Sequence, residues 1–421
     1  CRIITSAHVD GIDAVTTAPP TGSGSEDDGS GGERTLPLPP PSQPDDDEAR
    51  AGGAKEAAAG RRRRALIVSG PELAALQAEH WDAVARYEEV VFARITPQQK
   101  LQVVEEMRAR RCTVAVTGDD VNDLPAMRAA DVGIAMGNGS DVAKDAADMV
   151  LLTNDFASLV TAIESGRLVF INTKKVIVYL LPMTNMSEIV PSLLNVALGL
   201  PIPLSTFLML VINVITDVWA SVLIADEEPE TDILQRPPRD PARDGLVNAR
   251  LLVHAYLFVG LIETVAGHVM FFLCLYLRGG IAPQHVFLAF NRWADGYLGR
   301  SARELAALVS VAGSAHFMAL VVMQWGNMFA ARTRTLSVAR QNPLWGPSRN
   351  PRLLVAVPIS VVAALFFNEL EVFNRVFLTG RIPVEFFFLP IPFALALLAA
   401  EELRKMLVRR RPHGLAARMA W

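Results

Sequence analysis

Six long apolar runs constrain this chain more than any other feature. They lie at about 176–197, 202–225, 251–277, 306–330, 353–370 and 384–400. A helix needs ~20 predominantly apolar residues to cross the hydrocarbon core of a bilayer. Within that core each backbone N–H and C=O must be satisfied by its own segment, so such runs fold as helices. The second half of the chain is therefore expected to be a bundle of six transmembrane helices. An even number places both ends on one side. The connections 226–250 and 331–352 and the tail "RKMLVRRRP" are rich in Arg, whereas the turn "GLPIP" carries no charge. Basic segments stay cytoplasmic. Both connections and the C-terminus are thus expected in the cytosol, although connections 278–305 and 371–383 carry some Arg too.

The first half differs. Residues 19–64 are rich in Pro, Gly, Ser and charge, including "DDD" and "RRRR". Such a segment buries too little apolar surface to offset its chain entropy, and is expected to be a disordered, solvated insertion. Three cysteines, Cys1, Cys112 and Cys274, are too few for a disulfide framework or a metal site, and read as reduced thiols. The net charge of -4 is bland, and no nucleic acid is expected as a partner. No secretory signal opens the chain. Its first residue is Cys, which reads as a fragment or a processed start.

From Ala65 the pattern alternates. "ALIVSG" reads as a strand, "PELAALQAEHWDAVARY" as a helix and "EVVFAR" as a strand. "TPQQKLQVVEEMRARR" opens with a Thr cap and a Pro in the first turn. "CTVAVTGD" reads as a strand, "DLPAMRAA" as a helix, "DVGIAM" as a strand and "DVAKDAADMVLL" as a helix running into a strand. This alternation implies a parallel, doubly wound sheet, whose ligands sit at the carboxyl ends of strands. Asp119 stands at such an end, within "TGDDVNDLPAMRAADVGIAMG", which carries Asp119, Asp120, Asp123 and Asp131. Carboxylates on such a loop suit Mg²⁺, a hard cation that prefers oxygen. Gly118 leaves room for backbone approach, Thr117 offers a hydroxyl, Asn122 an amide and Lys100 a charge for a phosphoryl oxygen. The set suits phosphoryl transfer by positioning and charge stabilisation. It lacks an obvious nucleophile.

These residues carry a resemblance. "TGDDVNDLPAMRAADVGIAMG" resembles the TGDGVNDxPAL segment of P-type ATPases, and "VVFARITPQQKL" the segment with that family's invariant lysine. "DEEPETDILQRPPRDP" is similar to the cytoplasmic loop after the sixth membrane helix of Na⁺/K⁺-ATPase-like pumps. "VVMQWGNMFAARTR" and "EELRKMLVRRRP" resemble their eighth and tenth helices. The likeness covers residues 65–412. It implies an α/β haloacid-dehalogenase-like phosphorylation domain followed by the six-helix bundle. It implies Asp119 and Asp123 as the Mg²⁺-site acids, Asp119 being the direct ligand, with Lys100, Thr117, Gly118 and Asn122 around the phosphate. The family has Gly where Asp120 stands; Gly would permit positive φ, and Asp tolerates that region better than most residues. The phosphorylated Asp of a DKTG motif does not occur here, and neither does the actuator's TGE. The chain therefore resembles the C-terminal part of a pump and is not expected to form a phosphoenzyme alone, ATP being held mainly by a nucleotide domain it lacks.

Ionisable residues within a bilayer are costly and suggest function. In the first run Asn185 and Glu188 are three apart, with Pro182 and Pro191 freeing carbonyls; in the second Asn213 and Asp217 are four apart, beside Thr216. This oxygen-rich set suits a hard cation. The resemblance places Asn185, Glu188, Asn213 and Asp217 where the family's fifth and sixth helices coordinate ions, and adds Thr184, Gln324 and Asn327 to the cation set. Asn213 and Asn327 stand where the Na⁺/K⁺ pump has Asp. Thr184 stands where proton-exchanging relatives have Lys, which argues against a proton pump. One residue is extra between Tyr179 and Asn185 relative to animal pumps, enough to rotate a helix by about 100° unless a bulge near Pro182 absorbs it. Glu263, in the third run, reads equally as structural or functional, with no family ligand mapping there. His268 and His316 read as packed residues.

The expected organisation is a partial phosphorylation-domain segment at 1–18, the insertion at 19–64, the rest of that domain at 65–165, the membrane domain at 166–412 and a tail at 413–421. The expected partners are membrane lipid, transported cations and ATP, with Mg²⁺ as cofactor, in the plasma membrane. Loop 278–305 lacks the SYGQ motif through which animal pumps contact their β subunit, so no such subunit is expected. The alternatives are a Ca²⁺ or Na⁺-only pump and, from another class, a non-catalytic membrane subunit or pseudo-ATPase.

Overall fold

A computed structural model describes residues 2–5, 65–411 and 414, apart from 88, 154, 156, 231–232, 235–238, 240–243, 346–348 and 378. The expected insertion at 19–64 and nearly all of the tail lie outside the described residues. The chain forms two compact units, residues 1–155 and 156–421.

In the first unit the strands are β1 (Arg2–Thr5), β2 (Ala65–Ser69), β3 (Glu89–Ala93), β4 (Val114–Gly118), β5 (Val132–Met136) and β6 (Met149–Leu151). All pairings are parallel, as the alternation requires. They divide between two sheets rather than forming one: a four-stranded sheet in the order β1-β4-β5-β6, and the pair β2-β3. Every residue of β4 is buried, with β1 on one side and β5 on the other. That is why "VAVTG" is a continuous run of apolar and small residues and does not alternate. The expected helix after β2 is broken into α1 (Gly70–Ala74) and α2 (Ala78–Val84). The Gln77 N–H donates to Nδ1 of His80 at 3.1 Å, which starts a new helix where the periodicity continued. Helix α3 (Pro97–Ala109) begins as its sequence predicts. The Gln99 N–H donates to Oγ1 of Thr96 at 3.3 Å, and the Thr96 N–H donates to Oε1 of Gln99 at 2.9 Å. Two shorter helices, α4 (Leu124–Ala129) and α5 (Asp141–Ala146), follow β4 and β5. Val103, Val104 and Met107 of α3 and Met127 of α4 close the core over Val114 and Val116.

In the second unit six helices are long and apolar enough to cross a membrane: Ala157–Leu198, Thr206–Ala225, Ala249–Gly279, Ala302–Ala331, Pro351–Glu369 and Glu385–Arg410. They match the six apolar runs in order. The first begins well before its apolar run, because "ASLVTAIESGRLVFINTKK" continues the same helix in a more polar sequence. The fourth span is the hub. Every residue from Ala312 to Gln324 is buried, which fits a helix that is apolar on all faces.

Three spans depart from α geometry. Pro182–Met186, Ile212–Thr216 and His254–Gly260 form π segments inside the first, second and third spans. A π turn takes one more residue than an α turn without breaking the helix, and such turns cluster at functional sites. The first begins at Pro182, near which a bulge was expected.

Candidate functional sites

At the end of β4 the backbone turns sharply. The Ser140 N–H donates to the Asp119 carbonyl at 2.8 Å, which ties the loop after β5 to the loop after β4. This leaves the Asp119 side chain exposed at the strand's carboxyl end. Asp123 is buried at 3% exposure, and its Oδ1 accepts from Lys100 Nζ at 2.5 Å. The capped start of α3 is what brings Lys100 to this point. The room at Gly118 is already taken by the chain itself: a Cβ there would lie 2.5 Å from Cβ of Asp123 and 2.7 Å from Sδ of Met127. Thr117 is buried in β4.

Asp120, the departure from the family pattern, does not need positive φ. It sits at φ -129° and ψ 166°, ordinary extended backbone. Its carboxylate accepts from the Val121 N–H at 2.7 Å and from Nδ2 of Asn122 at 3.1 Å. It therefore caps the following turn and holds the Asn122 amide. Asp131 lies at the other end of the strands. It accepts from the Val114 N–H at 2.8 Å and pairs with Arg108 at 3.2 Å, a structural role. Among the described residues no three of His, Cys, Asp and Glu converge as a metal cluster. Mg²⁺ needs fewer, since it keeps several waters and takes one or two carboxylates. Asp119 fits such a role, while Asp123 is held by Lys100.

The membrane residues gather more tightly. Nδ2 of Asn213 donates to Oε2 of Glu188 at 3.3 Å, which joins the first two spans. Asp217 is fully buried; its Oδ1 accepts from Nε2 of Gln324 at 2.7 Å and from the Tyr179 hydroxyl at 3.0 Å. Gln324 also donates to Oγ1 of Thr216 at 2.9 Å. Nδ2 of Asn327 donates to the Tyr179 carbonyl at 3.1 Å. The fourth span thus locks onto both others through Gln324 and Asn327. Oxygens are left over at this centre: Oε1 of Glu188, Oδ1 of Asn213, Oδ2 of Asp217 and Oε1 of Gln324 are buried without a hydrogen-bond partner. Buried acceptors of this kind are costly in a native protein unless a ligand satisfies them.

Thr184 and Asn185 are placed differently. The Thr184 hydroxyl donates to the Leu180 carbonyl at 2.8 Å, and Nδ2 of Asn185 to the Leu181 carbonyl at 3.3 Å. Both serve carbonyls of their own helix. Three residues on, Glu188 instead meets Asn213 of the second span.

Sequence reasoning missed two groups. Tyr179 carries no sequence signal for this contact, since no spacing rule links it to Asp217 on another helix. The other group is a buried polar network at the ends of the spans. Arg332 pairs with Glu227, both fully buried, and Nδ2 of Asn350 donates to Oε2 of Glu227 at 3.1 Å. Lys175 pairs with Glu230 at 3.4 Å. Charged residues at the edges of apolar runs were the available signal. His268 and His316 pack ring against ring, centroids 5.2 Å apart.

The model of a family described as "Cation transporting ATPase, C-terminus" matches residues 201–407, and that of "haloacid dehalogenase-like hydrolase" matches residues 99–163. The chain is 38% identical over 361 residues to the sodium/potassium-transporting ATPase subunit alpha of Drosophila melanogaster, covering 83% of this chain and 34% of that protein. It is 37% identical over 361 residues to subunit alpha-4 of the human sodium/potassium-transporting ATPase, with the same coverage. It is 36% identical over 367 residues to potassium-transporting ATPase alpha chain 2 of Rattus norvegicus, again over 83% of this chain and 34% of that protein. The chain spans about a third of the length of these relatives. With an α/β unit of haloacid-dehalogenase type and six membrane-length helices behind it, the chain belongs to the cation-transporting P-type ATPases and shares their C-terminal region.

Proposed function

We propose that this chain supplies the cation-binding membrane half, and part of the phosphorylation domain, of an ATP-driven pump for monovalent cations of the Na⁺/K⁺ kind. The observation that carries this is the polar centre of the membrane unit. Glu188, Asn213, Asp217 and Gln324 come from three spans and leave acceptor oxygens without partners. A carboxylate at mid-membrane costs about 2.5–3.5 kcal/mol on insertion scales. Two of them held together repel as well, and a bound cation offsets both costs.

In the first unit Asp119 is proposed as the protein's carboxylate toward Mg²⁺, which when bound would neutralise charge on a transferring phosphoryl group. Lys100 would bring positive charge to the same loop while Asp123 orients it. Thr117, Gly118 and Asn122 complete the loop, with Asp120 holding the Asn122 amide. The chain contains neither DKTG nor TGE, so alone it is proposed to hydrolyse no ATP. The Arg-rich connections support an orientation in which the first unit and the C-terminus face the cytosol, and the plasma membrane is the proposed location. No β-type subunit is proposed.

A ligand that binds only the folded state raises apparent stability by mass action. The purified chain in lipid nanodiscs should therefore unfold at a higher temperature in Na⁺ or K⁺ than in a bulky organic cation at equal ionic strength. Glu188→Gln and Asp217→Asn should remove that increment. An increment that survives both changes would overturn the assignment.

A further inference from the structure

Glu263 lies three residues after Gly260 and four before Gly267 on the third span, so the three positions share one helix face. A Cβ on Gly260 would lie 2.9 Å from Cβ of Met186, in the π segment of the first span. A Cβ on Gly267 would lie 2.8 Å from the His316 ring, on the fourth span. These two contacts hold Glu263 between the first and fourth spans. Its side chain is fully buried, and neither carboxylate oxygen has a hydrogen-bond partner. It lies beside Asn327 and within electrostatic reach of Asp217 and Tyr179, while Asp217 is within reach of Glu188.

Among the described residues no Lys, Arg or His forms an ion pair with Glu188, Asp217 or Glu263; the ion pairs of this unit engage other acids. Three acids with unsatisfied oxygens therefore face one another's neighbourhood without a protein counter-charge. The amide of Asn327 is the polar group beside Glu263, and it already donates to the Tyr179 carbonyl, so the buried carboxylate is left short of donors.

We propose that Glu263 is a direct cation ligand and completes a three-carboxylate site with Glu188 and Asp217, for a hard cation such as Na⁺, K⁺ or Ca²⁺. This rests on the proposed cation role of the first two spans and extends it to the third. Oxygen donors suit such cations, and three negative charges balance more positive charge than two.

The test is dicyclohexylcarbodiimide labelling of the unaltered chain in nanodiscs, read carboxyl by carboxyl through peptide mass spectrometry, with Na⁺, K⁺ or Ca²⁺ added singly. The cation that protects Glu188 and Asp217 should protect Glu263 over the same concentration range. Glu263→Gln should weaken that cation's protection of Glu188 by roughly tenfold or more, the scale of losing a buried charged partner. Glu263→Asp, which keeps the charge, should recover part of it. Protection of Glu188 and Asp217 with none at Glu263 would overturn the inference and leave the proposed function standing. No protection at any of the three would overturn both. If Glu263→Gln fails to fold, labelling of the unaltered chain still decides.

Discussion

Single residues in the first unit divide by what their carboxylates already hold. Asp123 is engaged by Lys100, Asp120 by Val121 and Asn122, and Asp131 by Val114 and Arg108. Asp119 stands exposed at the strand end. Weak Mg²⁺ binding should therefore disappear in Asp119→Asn and persist in Asp141→Asn, measured by isothermal titration; equal loss from both would show only general acidity. Lys100→Met removes the ion pair to the buried Asp123 and should destabilise the unit by about 1.5–3 kcal/mol, the scale of a hydrogen bond between charged groups. Thermal unfolding would read that, and an unchanged midpoint would show that the pair contributes nothing. The acid cluster was legible because a hard-cation loop needs carboxylates close in sequence. Which of them is free was not, since that depends on the donors the fold brings to each carboxylate, such as Lys100 to Asp123 and Arg108 to Asp131.

At the scale of elements, the π segments set the register of the membrane helices. If Pro182–Met186 absorbs an extra residue, deleting Pro182 should return that stretch to α geometry and leave Glu188 facing Asn213. Deleting Ile177, in the regular helix before it, should rotate the two parts relative to each other by about 100° and separate them. Cation-dependent thermal stabilisation should survive the first deletion and vanish in the second; loss in both would refute the register argument. The connection after the second span makes a pH prediction. Burial pushes the Glu230 carboxyl up, but the charge of Lys175 and N–H donors from Arg334, Thr335 and Leu336 outweigh it, and its pKa lies below the usual range. A lowered folded-state pKa contributes stability that is present above the unfolded value, near 4.3, and is lost as pH falls through the folded one. Glu230→Gln should thus flatten the loss of stability below about pH 4, followed by thermal unfolding against pH. The amphipathic and apolar patterns foretold every span, because length and hydropathy are local properties. The broken helix at Gln77 and the π turns were not foretold in detail, because each is decided by one hydrogen bond or one inserted residue within an unbroken pattern.

At the scale of the whole molecule, an α/β unit with the loop proposed for phosphoryl transfer precedes in sequence a membrane unit with a cluster of acids. Glu188, Asn213, Asp217, Gln324 and Asn327 were legible from the cost of polar groups inside apolar runs and from resemblance. Their convergence was visible only in the fold, where the fourth span brings Gln324 to Asp217 and Asn327 to Tyr179. Glu263 stood undecided in the sequence because its significance lies in the two neighbouring spans that enclose it. This polar centre is the proposed holder of transported cations. The most direct test is equilibrium binding of radioactive Na⁺, Rb⁺ and Ca²⁺ to the purified chain in nanodiscs, with Glu188→Gln, Asp217→Asn and Asp295→Asn, at an exposed acid, in parallel. Saturable binding of at least one of these ions is expected, lost in the first two variants and kept in the third. Absence of saturable binding for all three ions, or binding that persists when both Glu188 and Asp217 are neutralised, would contradict it.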